Sequence, residues 1–420
     1  MEMNHWWIRG SVSSDFTGIP RKMYSSQLQE SLNIQEIIIL TGMRRTGKTT
    51  MMYQLIQHLI QMNVDPFRIL YVQFDHPLLK NLDISDLIRQ HRVDHGISKK
   101  EILYVFFDEI HYLEDWAQWV KVIYDQKQVK MFISGSSKAL LLPKAMTHLS
   151  GRYLTYNIWP LFFPEFLDFR KSEPEPGDEH RYVSLAEEYL STGGFPRIVL
   201  EKNVEFRGRL MREYFDGIVF KDIAAVHEIR DIRTLRDLAA FLVTSSGKPV
   251  SFNKLKKSFK LSIDTIREYI SYIEESHLIE ELPVASRSKN ERVYNPKKYY
   301  VLDPGMRTAL TGEKETGPRA ETALHLHLKQ LKLPLGYWKQ VHEVDFIIQG
   351  KPLIAVECKY KNEITKKDLK SLEKWLAKEK KGKGIIVTRD LEETIELGKN
   401  TVRALPLWKV LLDPKILLLD

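Results

Sequence analysis

The chain has 420 residues, 43% hydrophobic and 28% charged, the profile of a globular chain with apolar material for about two to four domain cores. Lysines and arginines number 63 against 55 acids, and the resulting +8 charge permits an anionic partner without proving one. The single cysteine, Cys358, excludes an internal disulfide and a cysteine-based zinc site. No apolar run approaches the roughly 20 residues that cross a bilayer, and the start MEMNHWWIRG lacks the apolar stretch of a secretion signal, so a cytoplasmic protein without membrane contact is expected.

Residues 34–142 alternate short apolar runs (IIIL at 37–40, ILYVQF at 69–74, ILYVFF at 102–107, MFIS at 131–134) with amphipathic segments. That alternation predicts an α/β fold, a parallel sheet wrapped by helices. Changes of texture put boundaries near 160, 245 and 316. The expected domains are therefore 1–160, 161–245, 246–316 and 317–420.

The strongest motif is Gly42-Met43-Arg44-Arg45-Thr46-Gly47-Lys48-Thr49, a G-x-x-x-x-G-K-T match between the strand at 37–40 and a helix carrying Met52, Leu55, Ile56 and Leu59 at helical spacing. Glycines let the backbone curl so that several N–H groups point at phosphates, and the helix N-terminus adds its positive end. Gly42, Arg44, Arg45, Thr46, Gly47, Lys48, Thr49 and Thr50 are thus the candidate ATP-binding residues. Lys48 is expected on the β and γ phosphates and the Thr49 hydroxyl on Mg²⁺. The strand Leu103–Phe107 then ends in Asp108-Glu109: Asp108 is the second candidate for holding Mg²⁺, and Glu109 the candidate base for the attacking water. Ser134, at the tip of the next strand in Ser134-Gly135-Ser136-Ser137, is either a sensor of the γ-phosphate or part of a plain turn. Arg152 is either an arginine finger, acting in cis or from a neighbouring subunit, or a surface arginine.

In this order, TGMRRTGKTT, VFFDEIHYLEDW, MFISGSS, LSGRY, WPLFFPEFL and STGGFPRIV resemble a family of archaeal and bacterial AAA-superfamily P-loop ATPases with a C-terminal domain of uncharacterised or nuclease-like type. The resemblance covers nearly the whole chain. It implies an ATPase core with its N-terminal arm, a helical lid, a winged helix and an endonuclease-like tail, but no substrate.

Residues 247–300 carry an excess of four positive charges. Helices are expected over Val250–Phe259 and, capped by Ser262, over Ile263–Ser276, with Ile266, Ile270, Ile273 and Leu278 buried. Strands follow at Glu280–Ala285 and Val293–Asp303. This order is that of a winged helix, offering Thr265, Arg267, Tyr269 and Tyr272 from its second helix and Arg287, Lys289, Arg292, Lys297 and Lys298 from its hairpin. These side chains suit contact with DNA phosphates; a solvated or protein-contact face is the other reading.

In the last block Glu321 lies early in a helix, Asp345 in a strand, and Glu357-Cys358-Lys359 at the end of another. Alternation puts Glu357 and Lys359 on one face, with Asp345 beside them if the strands pair. Asp345 and Glu357 are candidate ligands of a divalent metal, with Lys359 near the attacking water. The order Glu…Asp…Glu-x-Lys resembles the endonuclease fold of restriction and resolvase-type enzymes, with Glu321 as its helical acid. Histidines, including His111, His325 and His327, show no metal spacing. The function expected is an Mg²⁺-dependent ATPase acting on DNA, possible as a homo-oligomer; the alternative is a nucleotide-gated regulatory protein whose winged helix and tail bind protein partners.

Overall fold

The apolar runs of the first 160 residues become strands. The computed structural model describes residues 2–76, 79, 82–135, 140, 147–175, 177–286, 288, 290, 291, 295–312 and 315–419. The chain divides into two units, Met1–Trp159 and Pro160–Asp420. In the first unit, β1 (Ile37–Thr41), β2 (Ile69–Gln73), β3 (Leu103–Asp108), β4 (Val129–Gly135) and β5 (Tyr153–Asn157) form one parallel sheet in the order β2-β3-β4-β1-β5. Both faces are covered, as the near-continuous apolar strands require. Ile37, Ile39, Val105, Phe107, Met131 and Ile133 face one core with the helices Ile84–Asp94 and Trp116–Asp125. Their neighbours Ile38, Leu40, Phe106 and Phe132 face the other, with Met52, Leu55, Ile56 and Leu59 of the helix Lys48–Gln61.

The second unit opens with helices Phe163–Arg170, Glu179–Thr192, Pro196–Leu200, Val204–Gly217 and Ile232–Thr244. Next come β6 (Pro249–Val250), helices Phe252–Phe259 and Ile263–Glu275, β7 (Ile279–Leu282) and β8 (Lys297–Val301). The expected helix at 263 forms with the Ser262 side chain accepting the Thr265 N–H, and Ile266, Ile270 and Ile273 are buried. The two strands pair antiparallel in a three-stranded sheet of order β6-β8-β7, both shorter than the sequence suggested. After the helices Pro304–Thr311 and Gly317–Leu328, a mixed six-stranded sheet follows: β9 (Leu335–Lys339), β10 (Glu343–Ile348), β11 (Ile354–Cys358), β12 (Lys383–Thr388), β13 (Glu393–Leu397) and β14 (Asn400–Pro406). Its order is β13-β14-β12-β11-β10-β9. Leu369, Leu372, Trp375 and Leu376 of the helix Lys366–Lys378 cover it. No described helix is long and apolar enough to cross a membrane.

The Gly193-Gly194 pair of the GGFP segment is a packing joint. The buried Asp303 caps the helix Pro304–Thr311 by accepting the Met306 N–H at 3.0 Å, and it also accepts the Gly194 N–H at 2.7 Å. Gly193 has φ +79°, and a Cβ there would lie 2.1 Å from Asp303 Oδ1; one on Gly194 would lie 2.4 Å from the Leu161 carbonyl. Burial pushes the Asp303 carboxyl up to about 7 against the opposing pull of the Gly194, Met306 and Gly305 N–H groups.

Asp303→Ala removes a cap and strands a buried N–H, so it is expected to lower stability by about 2–4 kcal/mol. Gly193→Ala is expected to destabilise as well. Denaturant unfolding of each variant checks this, with the wild-type midpoint as reference.

Candidate functional site

β1 delivers the chain to the nucleotide loop at its C-terminal end, where backbone must pass backbone. Gly42 has φ +144°, and a Cβ on it would lie 2.2 Å from the Ile158 carbonyl, so only glycine fits this exit. Arg45 (φ 71°) and Gly47 (φ 101°) complete the curl, and Thr46 Oγ1 closes it by donating to the Met43 carbonyl at 2.9 Å. The Lys48 ammonium is buried inside the loop and donates to the carbonyls of Gly42 at 2.8 Å and Met43 at 2.9 Å. Arg44 and Thr50 are half-buried and Arg45 is exposed.

Because β4 lies between β1 and β3, its tip falls between the loop and the two acids. Asp108 is the hub. Its Oδ2 accepts from Thr49 Oγ1 at 2.6 Å and from the Tyr71 hydroxyl at 2.8 Å, and its Oδ1 accepts from Ser134 Oγ. Ser134 Oγ also takes the Glu109 N–H at 3.1 Å, so the Ser134 hydroxyl bridges the two acids. Glu109 sits in the left-handed region (φ 52°, ψ 42°), which turns its side chain away from the line of β3. His111 Nδ1 lies 3.4 Å from Glu109 Oε2. Burial, then Lys48 and Arg44, push this imidazole down to about 4, so it is neutral at pH 7. A divalent ion needs hard oxygen donors, and the Thr49 hydroxyl and Asp108 carboxylate already meet at hydrogen-bond distance. The donor set fits Mg²⁺.

Two residues at this end escaped the sequence reading. Arg21, buried, donates from one guanidinium nitrogen to the carbonyls of Thr46 at 3.1 Å and Trp159 at 2.8 Å, pinning the loop from behind. Tyr71 carries the hydroxyl on Asp108; burial, reinforced by Asp108, holds its pKa well above the ordinary tyrosine value. Neither belongs to a motif, and nothing local distinguishes them from packing residues.

Arg152 loses one of the alternatives the sequence left open. It directly precedes β5, whose first residue Tyr153 aligns with Ile37 at the start of β1, while the nucleotide loop leaves the far end of β1. Five strand residues span about 16 Å. Arg152 therefore sits at the opposite edge of the sheet from its own loop, 3.4 Å from Asp125 Oδ1 and over the Tyr124 ring, and a cis contact with phosphates is excluded. Ser136 and Ser137 lie outside the described residues.

In the second unit β10 and β11 pair antiparallel with Phe346 opposite Val356, so Asp345 and Glu357 stand side by side. Asp345 Oδ2 accepts the Cys358 N–H at 2.9 Å, and Lys359 Nζ donates to Glu357 Oε1 at 2.5 Å. Glu321 takes the Tyr300 hydroxyl at 2.6 Å. The sequence-predicted acids and Lys359 do meet, but in company that the sequence did not announce. Lys298 of β8, 1% exposed, lies with its ammonium 2.8 Å from Glu343 Oε1 and 3.5 Å from both Glu321 Oε1 and Asp345 Oδ1. Burial alone would lower the Lys298 pKa, but the carboxylates of Glu321, Asp345 and Glu343 outweigh it and hold the ammonium charged. Burial and the Asp345 charge push the carboxyls of Glu321 and Glu357 above the usual carboxylate range. Among the described residues, no three His, Cys, Asp or Glu side chains form a group able to hold a metal ion. With Lys298 among the acids, the residues present do not fit a divalent ion as they stand.

The basic middle segment is also changed. Lys298 is buried, and Lys297 donates to Glu281 Oε2 at 2.6 Å, so neither is presented as a phosphate contact. Arg287, Lys289 and Arg292 lie outside the described residues. Tyr272 stacks on His227 and donates to Glu268 at 2.7 Å. Exposed instead are Lys254, Lys256, Lys257 and Lys260, around the helix Phe252–Phe259, together with Arg267.

Residues 34–167 match an AAA domain family (AAA_14), while residues 183–317 and 316–410 match two domains of unknown function (DUF8612 and DUF4143). The uncharacterized protein MJ1544 of Methanocaldococcus jannaschii is 30% identical over 412 residues, covering 92% of this chain and 91% of that protein. An uncharacterized protein of Haemophilus influenzae is 28% identical over 346 residues, covering 78% and 83%. Among solved structures, the Walker-type ATPase PABY2304 of Pyrococcus abyssi is similar with a TM-score of 0.47 at 16% identity, covering 69% of this chain and 95% of that one. The chain thus belongs to the same family as MJ1544, and its first unit carries an AAA domain of P-loop NTPase fold.

Proposed function

We propose that this protein is a cytoplasmic, Mg²⁺-dependent ATPase that couples ATP turnover to binding of DNA. The observation that carries the reading is the convergence of Lys48, Thr49, Asp108, Glu109 and Ser134 at the C-terminal ends of β1, β3 and β4. The loop amides and the N-terminus of the helix Lys48–Gln61 bind the phosphates. Lys48 exchanges its carbonyl acceptors for β and γ phosphate oxygens. Thr49 and Asp108 hold Mg²⁺, which supplies charge neutralisation on the phosphates. Glu109 orients the attacking water and accepts its proton, with Ser134 fixing the backbone from which Glu109 projects. Arg152 has a role at phosphates only across a subunit boundary in a homo-oligomer.

Support for DNA is the exposed basic helix Phe252–Phe259 followed by Ile263–Glu275 and the antiparallel strands β7 and β8, the element order of a winged helix. Lysines there neutralise phosphates without reading sequence. One observation favours a second reading, a nucleotide-gated protein whose second unit binds protein partners: the C-terminal acids hold a lysine and not an open metal site, so a nuclease-like fold serves there without cutting.

Lys48→Ala is expected to abolish ATP binding, measured with a fluorescent nucleotide. Glu109→Gln is expected to bind ATP but turn it over about 100-fold or more slowly; normal turnover in this variant refutes the base assignment. ATP turnover with and without duplex and single-stranded DNA over a salt series decides between the two readings. Stimulation that fades with salt supports DNA coupling. The Lys256→Ala/Lys257→Ala pair is then expected to reduce the slope of log affinity against log salt by about 2. Absence of any DNA effect, with a protein partner changing the rate, supports the second reading.

A further inference from the structure

We propose that a lysine-rimmed groove at one end of the C-terminal six-stranded sheet binds the phosphate backbone of a single-stranded nucleic acid. This goes beyond the DNA contact of the helix Phe252–Phe259 and stands without it.

The groove, of about 1390 Å³, has Trp338 and Trp375 in its apolar floor and Lys351, Lys378, Lys380 and Lys381 in its lining. Sites for small ligands occupy about 300–1,000 Å³, so this one has room for a polymer. A second hollow, of about 370 Å³, shares Gly382 with it and adds Lys383, Lys399 and Arg403. Lys351 lies between β10 and β11, Lys380 and Lys381 lie before β12, and Lys399 lies before β14. The parallel register puts all of them at the end of the sheet where β11, β12 and β14 begin. Glu357 stands three residues beyond the start of β11, about 10 Å along it, so this surface is separate from the acid cluster.

The chain does not neutralise these cations itself. Elsewhere in the unit lysines stand on acids: Lys297 on Glu281, Lys329 on Glu280, Lys361 on Asp368. Among the described residues, no carboxylate lies at ion-pair distance from Lys351, Lys378, Lys380, Lys381 or Lys399, although Glu291 and Glu379 also line the groove. Residues 378–383 read KEKKGK, four lysines to one acid. The negative end of the helix Lys366–Lys378 accounts for Lys378, but not for Lys351 and Lys399, which come from other elements. Like charges gathered this way repel one another, and a polyanion laid over them removes that repulsion.

The lysine turns are held in place. A Cβ on Gly382 would lie 2.4 Å from Trp375 Cη2, and the Gly382 N–H donates to the Glu379 carbonyl at 2.8 Å. The Lys383 N–H donates to the Leu353 carbonyl at 3.0 Å, which ties the Lys380-Lys381 turn to the Lys351 turn. The lining also offers the exposed amides of Gln340 and Gln349, which match Watson–Crick edges that only an unpaired strand leaves open. Both tryptophans are buried and give no stacking platform, so phosphates carry the affinity.

The test is fluorescence anisotropy of labelled oligo(dT) with the full chain, without ATP, over a salt series. Lys351→Ala/Lys380→Ala/Lys381→Ala is expected to weaken binding at least about tenfold and to reduce the slope of log affinity against log salt by about 2. Lys256→Ala/Lys257→Ala is expected to leave this affinity within about twofold, so failure at that helix and failure here are told apart. Lys380→Glu, a change at one exposed residue, is expected to shift binding in the same direction and carries the test if the triple variant does not melt as a folded protein. Wild-type protein with no salt-dependent binding of oligo(dT), or folded variants that bind it like the wild type, overturn the proposal. A duplex held more tightly than the single strand through the same three lysines overturns the choice of an unpaired strand.

Discussion

The nucleotide end of this protein hangs on the Asp108 carboxylate. A single buried carboxylate gathers hydroxyls from three elements: Thr49 of the loop helix, Tyr71 of β2 and Ser134 of β4. A carboxylate in a low-dielectric setting must be satisfied by donors, and this requirement fixes the mutual positions of those elements. The strand order serves the same end. Inserting β4 between β1 and β3 places a small hydroxyl at the centre of the sheet edge, where it spans Asp108 and the backbone of Glu109.

The second unit also uses buried charge, to join segments distant in sequence. Asp303 links the Gly193-Gly194 turn to the helix Pro304–Thr311 through backbone N–H groups. Lys298 links the three-stranded sheet to the acids of the six-stranded sheet and of the helix Gly317–Leu328. His327 adds a neutral joint: its Nε2 accepts the Phe163 N–H, so Nδ1 carries the proton and donates to the Ala323 carbonyl. Burial pushes that imidazole down to about 3, which keeps it neutral. Removing one side of any of these arrangements leaves an unsatisfied polar group inside the unit, costlier than the loss of a surface contact.

Much of the nucleotide site was legible because its chemistry imposes local spacing. Phosphates need glycines and a helix N-terminus in sequence, and an acid pair must end a strand, so Gly42–Thr49 and Asp108-Glu109 announce themselves. The helix Ile263–Glu275 was equally open, with its cap and buried stripe both written within one segment. Asp345 beside Glu357 followed once two strands were assumed to pair. Arg152 stayed open between a phosphate-contacting and a surface role because its motif carries no information on which end of a parallel strand faces the loop. Lys298 was misread for a related reason: a lysine in a basic stretch resembles a solvated or phosphate-binding side chain, and its partners lie in other elements.

The sequence by itself determined the parallel sheet, the phosphate loop, the acids that end β3 and the acids carried on β10 and β11. Those follow from periodicity and from chemistry that works through near neighbours along the chain. Tertiary structure alone decided that Arg21 pins the loop, that Tyr71 and Ser134 hold Asp108, and that Lys298 stands among the C-terminal carboxylates. Charge and hydrogen bonding act over a few ångströms of space regardless of chain separation, so which group satisfies a buried carboxylate is settled only when the segments fold together.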